Sequence, residues 1–187
     1  MTARLALALI HHPVLDGTGK ITTTAVTNLD VHDLSRSGRT YGCTDLFVAH
    51  PVLAQRELVE RIREHWLHGS SGVRIPDRKE AIGLVRAVGT LDDAISALGG
   101  RGNVDVWITA ARAVAAPLDF HSARKRLEET DRNVLIVFGT GWGLAPEVVA
   151  SADAVLPPVR AAAATGYNHL SVRGACAIIL DRLRGER

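Results

Sequence analysis

The sequence has little cysteine and no long apolar run, and each shortage excludes a class of protein. Cys43 and Cys176 lie far apart and form no CxxC or Cys/His pattern, so neither a disulfide framework nor a zinc site is predicted. No apolar run reaches the roughly 18 residues of a membrane span. The opening RLALALI is too short for the apolar core of a signal peptide. We therefore expect a cytoplasmic protein without a metal site or a membrane partner.

Lysine is also scarce. Of the 22 basic residues only Lys20, Lys79 and Lys125 are lysine, and the net charge is +2. The planar guanidinium of arginine suits phosphate, but a genome of biased base composition produces the same excess. Charge alone therefore leaves nucleic-acid binding open.

The composition is that of one globular domain, which we expect to span residues 1–187. Apolar residues make up 47% of the chain and charged residues 22%, and the 7 prolines are scattered. These values exclude intrinsic disorder and collagen-like or low-complexity classes. A chain of 187 residues fits a single hydrophobic core.

Short apolar runs alternate with helical patterns along the chain. Runs that are apolar on both faces and alternate with helices predict an α/β fold, with a mostly parallel sheet flanked by helices on both faces. Ligands in such folds bind beyond the carboxyl ends of the strands, which directs attention to segments 27–42, 139–144 and 157–169. The predicted strands are 5–10, 44–49, 104–109, 133–138 and 154–156, and the predicted helices are 53–69, 79–85, 91–98, 122–130, 146–150 and 170–183.

The first segment that carries chemistry is a strand, a glycine-rich turn and a helix, NVLIVFGTGWGLAPEVV. Gly139, Gly141 and Gly143 leave backbone N–H groups open to a ligand, and Pro146 begins the helix. The spacing GxGxG and its late position depart from the dinucleotide fingerprint. A tight turn without a ligand is the alternative interpretation.

The second segment is VLPPVRAAAATGYNHLSVRGACAIILDRL. Pro157 and Pro158 stiffen the backbone after a strand, and the loop ends at Asn168, His169 and Ser171 where a helix begins. The helix is apolar around most of its circumference, so it must be buried on several sides. We expect it to pack partly against a second copy of the protein; burial within one subunit is the alternative.

The third segment, TNLDVHDLSRSGRTYG at 27–42, places Asp30, Asp33 and Arg36 in helical spacing. An exposed helix with salt bridges would show the same pattern. The spacing by itself therefore does not assign a function.

In this order, the three segments and PDRKEA at 76–81 resemble the SPOUT class of S-adenosylmethionine (SAM)-dependent RNA methyltransferases. The likeness is greatest to a small stand-alone bacterial family related to, and sometimes joined with, the tRNA guanine-N1 methyltransferases. The resemblance implies a C-terminal trefoil knot, a rarity among folds, with the methyl donor bent within it. It implies donor contacts at Phe138, Gly139, Thr140, Gly141, Gly143, Leu156, Pro158, Asn168, Leu170 and Ser171.

Members of this class usually show Asn, Arg and Gly at a spacing that here reads Asp30, Arg36 and Gly42. The resemblance implies that Arg36 contacts RNA phosphate or ribose and polarises the attacking group. Asp30 replaces the usual Asn, so it can act as a general base or can hold Arg36, and we favour the second. The glycine loop also lacks the Glu of the ribose-methylating branch, and YNHLS replaces SLNVS.

The expected activity is methyl transfer from SAM to RNA, with tRNA as the expected substrate, a base nitrogen or ribose 2′-OH as acceptor, and S-adenosylhomocysteine as product. We expect Arg36 to position RNA, Asp30 or Asp33 to handle the proton, and Asn168, His169 and Ser171 to line the acceptor side. A homodimer through the C-terminal helix and knot is expected. The alternatives are a SAM-binding and RNA-binding module without catalysis, and an unrelated nucleotide-binding oxidoreductase.

Overall fold

A six-stranded parallel sheet forms the centre of the computed structural model, which describes residues 3–112 and 115–186. The strands are β1 Leu5–Ile10, β2 Val14–Leu15, β3 Ile21–Thr22, β4 Asp45–Ala49, β5 Val85–Val88, β6 Val104–Thr109, β7 Asn133–Gly139 and β8 Ala154–Leu156. The helices are α1 Asn28–Thr40, α2 Leu53–His68, α3 Ser70–Arg74, α4 Pro76–Ile82, α5 Leu91–Ala97, α6 Phe120–Glu129, α7 Pro146–Ala150 and α8 Val172–Arg184, and a 3₁₀ turn covers Arg101–Asn103.

The strand order is β5-β4-β1-β7-β6-β8, and every neighbouring pair in this sheet is parallel. The carboxyl ends of all six strands therefore meet at one edge. At that edge Ile10 pairs with Ala49 on one side and Gly139 on the other. The predicted α/β fold is confirmed.

Alternating residues of β1 pack on opposite faces of the sheet. Leu5, Leu7 and Leu9 belong to a core that includes residues of α1, α2, α4, α6 and α8. Ala6, Ala8 and Ile10 belong to a second core that includes residues of α5 and α7. Because both faces are covered by helices, the strands are mostly apolar, as a buried parallel sheet requires, with Asp45, Arg86 and Asp105 among the exceptions.

The structure corrects three boundaries. Segment 27–42, treated as a loop after a strand, is largely helix α1, whose N-terminus is capped by Thr27. The helix predicted over 79–85 ends at Ile82, and Val85–Val88 form edge strand β5 instead, since Gly83 caps the helix and valine favours a pleated surface. The loop expected after β1 contains the antiparallel hairpin β2–β3.

Helix α8 buries one side within the subunit, through Cys176, Ile179, Leu180 and Leu183. It packs against α1, α6 and β7, so burial within one subunit, the alternative to dimer packing, explains why this face is apolar.

Burial raises the pKa of the Cys43 thiol to about 12 and also raises that of Cys176, which keeps both as inert apolar side chains. Over the described ranges, none of the helices has the length and apolar character needed to span a membrane.

Candidate functional site

The glycine loop joins β7 to α7 at the carboxyl edge of the sheet. Gly141 and Gly143 adopt the left-handed backbone, with φ of 58° and 114°, which costs side-chain-bearing residues energy. A Cβ at position 141 would lie 2.8 Å from the carbonyl oxygen of Leu15, whereas one at position 143 would meet no atom within 4 Å. The first glycine therefore allows close packing within the protein, and the second leaves backbone open to a ligand.

The hairpin that follows β1 holds the glycine loop in place. The backbone N–H of Trp142 donates to the carbonyl of Leu15 at 2.9 Å, and the N–H of Leu15 donates to the carbonyl of Gly143 at 2.9 Å. Val14 also forms an antiparallel bridge with Leu144. The sequence analysis missed this role, although the glycine-containing turn DGTGK at 16–20, between the apolar residues Leu15 and Ile21, is a hairpin signal.

Side chains at the ends of β1 and β7 are linked by hydrogen bonds. The Thr140 hydroxyl donates to the Ile10 carbonyl at 3.1 Å and lies 2.5 Å from the Thr24 hydroxyl, which lies 3.0 Å from Nδ1 of His11. His11 is fully buried, and burial, followed by the nearby His50, lowers its pKa to about 4. At neutral pH His11 is therefore uncharged.

The segment before α8 lies against the glycine loop. The rings of Trp142 and His169 have centroids 6.2 Å apart, and those of Tyr167 and His169 are 6.3 Å apart. Trp142 and Tyr167 are 56% and 73% exposed, unusual for large aromatic side chains. The two stretches expected to enclose the donor thus lie side by side, with aromatic rings at their junction.

The residues expected to contact the donor differ in whether their side chains are buried, hydrogen-bonded within the protein or exposed. The side chains of Phe138 and Leu156 are buried in the core, so only their backbone can face a ligand. Asn168 donates from Nδ2 to the Ala111 carbonyl at 3.3 Å, and Leu170 is 48% exposed. The Ser171 hydroxyl accepts from the N–H of Gly174 as the N-cap of α8, so it is already engaged by the helix.

A second part of the site is an open groove of about 570 Å³ between α1 and α8. It brings Arg36 and Asp33 of α1 together with Ser171, whereas His169 lies on the Trp142 side. The groove is lined by Asp33, Arg36, Ser37, Thr40, Tyr41, Ser171, Arg173, Gly174 and Ala177.

The expected pairing of Asp30 with Arg36 is wrong. Asp30 accepts from the Thr27 hydroxyl at 2.6 Å and lies 3.5 Å from the guanidinium of Arg173, which also contacts Asp33 at 3.3 Å. At about 100° of rotation per residue, Arg36 lies on another side of α1 from Asp30. Arg173, on the neighbouring helix α8, pairs with Asp30 instead. In the sequence, Arg173 differs from its neighbours only as one of the few charged residues in an apolar helix.

Arg36 is exposed and forms no hydrogen bond or ion pair with the residues that the structure describes. Other nearby basic side chains are engaged. Arg39 pairs with Glu80, Arg74 donates to the Ser71 hydroxyl at 3.1 Å, and Arg78 stacks 5.0 Å from the Trp66 ring centroid. Arg36 is thus available for an external partner.

Comparison with known proteins identifies the family. A profile described as "SAM-dependent RNA methyltransferase" matches residues 4–185. The chain belongs to the SAM-dependent RNA methyltransferase family. This membership confirms the resemblance inferred from the three segments and makes SAM the methyl donor of the family.

Relatives of this chain include longer proteins and one of similar length. The chain is 43% identical over 183 residues to a tRNA (guanine-N(1)-)-methyltransferase of Nitratidesulfovibrio vulgaris, covering 97% of the chain but 42% of that protein. It spans less than half the length of this relative. A protein of unknown function from Aquifex aeolicus is 38% identical over 179 residues, with 95% and 86% of the two chains covered.

The fold has a solved counterpart in the SpoU methyltransferase AviRb of Streptomyces viridochromogenes, whose structure contains AdoMet. The TM-score is 0.58 at 14% identity, and the match covers 98% of this chain and 57% of AviRb. At this identity the likeness establishes the SPOUT-type fold alone.

Proposed function

We propose that this domain transfers a methyl group from SAM to an RNA, with tRNA as its substrate. The contact between Trp142 and His169, with centroids 6.2 Å apart, carries the proposal, because it joins the glycine loop and the segment before α8 at one site. Residues 1–187 would act as one methyltransferase domain, and the cytoplasm is the compartment that a tRNA substrate implies.

The residues present fit the methyl donor. The backbone at Gly143 is open, since a Cβ there would meet no atom within 4 Å. The glycine loop carries no charged side chain, and so none that would repel the positively charged sulfonium. The sulfonium makes the bound methyl group a good electrophile, so the protein chiefly supplies alignment and exclusion of water. The residues that would hold the donor are Phe138, Gly139, Thr140, Gly141, Gly143, Leu156, Pro158, Asn168, Leu170 and Ser171.

The acceptor side is proposed at the aromatic junction and the α1–α8 groove. Exposed rings such as Trp142 and Tyr167 stack with unpaired bases. Arg36 has an unpaired guanidinium suited to a phosphate oxygen. The attacking nitrogen or oxygen of the RNA forms a bond to the methyl carbon while the carbon–sulfur bond breaks.

The proton released by the acceptor passes to a carboxylate or to water in this proposal. Asp33 is 43% exposed at its side chain and lies in the groove, while Asp30 is 13% exposed. Arg173 lies close to both carboxylates, 3.5 Å from Asp30 and 3.3 Å from Asp33. Because Asp33 is the more exposed carboxylate and lines the groove, we favour it as the proton acceptor, with His169 lining the acceptor side next to Trp142.

We also propose that two copies assemble through α8 and the knot region. The side of α8 away from the core leaves Ala175 and Ile178 partly exposed. The chain leaves β8 at one edge of the sheet and returns to α8, which packs on α1 near the sheet centre. This return path is compatible with a threaded C-terminal segment. Light scattering should show a particle of twice the 20.0 kDa chain mass.

Two measurements test the function. Calorimetry should show that S-adenosylhomocysteine binds and NADH does not. Methyl groups from labelled SAM should then appear in tRNA, and an exposed arginine variant, Arg61→Ala, should leave transfer unchanged while Arg36→Ala reduces it. Binding without transfer would favour the noncatalytic SAM-binding and RNA-binding module, and binding of NADH alone would refute the proposal.

A further inference from the structure

A network of side-chain contacts connects the buried His11, which follows β1, to Thr140 of the glycine loop, one of the expected donor contacts. It consists of His11, Thr24 and Thr140, whose side chains are linked by contacts of 3.0 and 2.5 Å. The Thr24 backbone N–H also donates to the His11 carbonyl at 3.0 Å. Nε2 of His11 is buried and has no hydrogen-bond partner among residues 3–112 and 115–186.

The protons in this network can be assigned by counting donors. A threonine hydroxyl has one hydrogen, and that of Thr140 is directed to the Ile10 carbonyl at 3.1 Å. The hydrogen between the two hydroxyls must then come from Thr24. Thr24 has none left for His11, so Nδ1 of His11 donates to the Thr24 oxygen and the uncharged ring has no proton on Nε2.

His50 is fixed in the opposite tautomer. Its Nδ1 accepts from the backbone N–H of Val52 at 3.1 Å, and its Nε2 donates to the Thr24 carbonyl at 2.9 Å. The two imidazole rings lie 5.5 Å apart. Thr24 is thus held at its backbone by both histidines and at its side chain by His11.

We infer that His11 is a positioning residue for the methyl donor, acting through Thr24 on the hydroxyl of Thr140 and so on the backbone of the glycine loop. The inference rests on the proposed function, since Thr140 is one of the expected donor contacts. His11 is fully buried and touches neither the donor nor the RNA. Its effect is to keep the loop N–H and carbonyl groups in their binding orientation.

Two variants of similar size distinguish the effect of the His11–Thr24 hydrogen bond on methyl-donor binding from the effect of packing. In His11→Asn the side-chain Nδ2 takes the place of Nδ1 and still donates to Thr24, whereas His11→Leu has no donor. Both leave a similar space where the ring was. We expect S-adenosylhomocysteine to bind about tenfold more weakly to the Leu variant than to the Asn variant. In transfer assays, KM for SAM should rise while kcat at saturating SAM changes less.

The tautomer is measured on the unaltered protein, which avoids any loss of folding in the variants. Long-range proton–nitrogen NMR should show Nδ1–H for His11 and Nε2–H for His50. A proton on Nε2 of His11 would overturn the inference. Equal affinities of the Asn and Leu variants for S-adenosylhomocysteine, beside normal binding by the unaltered protein, would also overturn it. Either result would leave the proposed function standing. Absence of binding by the unaltered protein would overturn the proposed function and this inference with it.

Discussion

The burial of His11 predicts that the protein loses stability as the pH falls from neutral. Its pKa is lowered from 6.5 to about 4, first by burial and then by the charge of His50. The unfolded chain therefore binds a proton near pH 6.5, while the folded protein resists it until about pH 4. The stability that neutral His11 contributes is complete above the unfolded pKa and is lost as the pH falls toward the folded one.

The size of this effect follows from the shift. At about 1.4 kcal/mol per pKa unit, the free energy of unfolding should fall by about 3 kcal/mol between pH 7 and 4 through His11. Urea unfolding at several pH values measures it, with His11→Asn as the comparison. The unaltered protein should lose about 3 kcal/mol more than the variant over this range. Equal losses would refute the assignment of a buried, uncharged His11.

Three further predictions concern the site. Arg36→Ala should weaken RNA binding and methyl transfer while leaving the melting temperature unchanged, because Arg36 bonds to none of the residues described; a lowered melting temperature would contradict this. Trp142→Ala should weaken RNA binding by about tenfold through lost stacking, with calorimetry showing unchanged S-adenosylhomocysteine affinity; equal loss of both would count against a base-stacking role. Gly141→Ala should reduce the affinity for S-adenosylhomocysteine and lower the free energy of unfolding by about 1–2 kcal/mol, since its φ is 58° and the added Cβ meets the Leu15 carbonyl. Gly19→Ala serves as the control for left-handed backbone strain alone, because a Cβ at position 19 meets no atom within 4 Å.

The central strands could be predicted because burial on both faces leaves a continuous apolar signal. Leu5–Ile10 and Val104–Thr109 have the same bounds in the structure as in the sequence analysis. Edge strand β5 was missed because the exposed Arg86 interrupts its short sequence VRAV. A short strand with a polar side chain lacks the continuous apolar run that marks the others.

The site was only partly predictable, because its decisive contacts join distant parts of the chain. The glycine loop and YNHLS could be recognised as motifs. Their contact through Trp142 and His169 depends on the fold, as does the pairing of Arg173 with Asp30. Local spacing carries no information about such partners, which is why Arg36 was assigned to Asp30 from sequence.

The central claim is that the glycine loop and the segment before α8 form one donor site. Titration of the labelled protein with S-adenosylhomocysteine, followed by backbone NMR, tests it directly. The account predicts that the largest shifts fall together on the amides of residues 139–143 and 168–171. Shifts confined to one of these stretches, or located elsewhere in the protein, would contradict it.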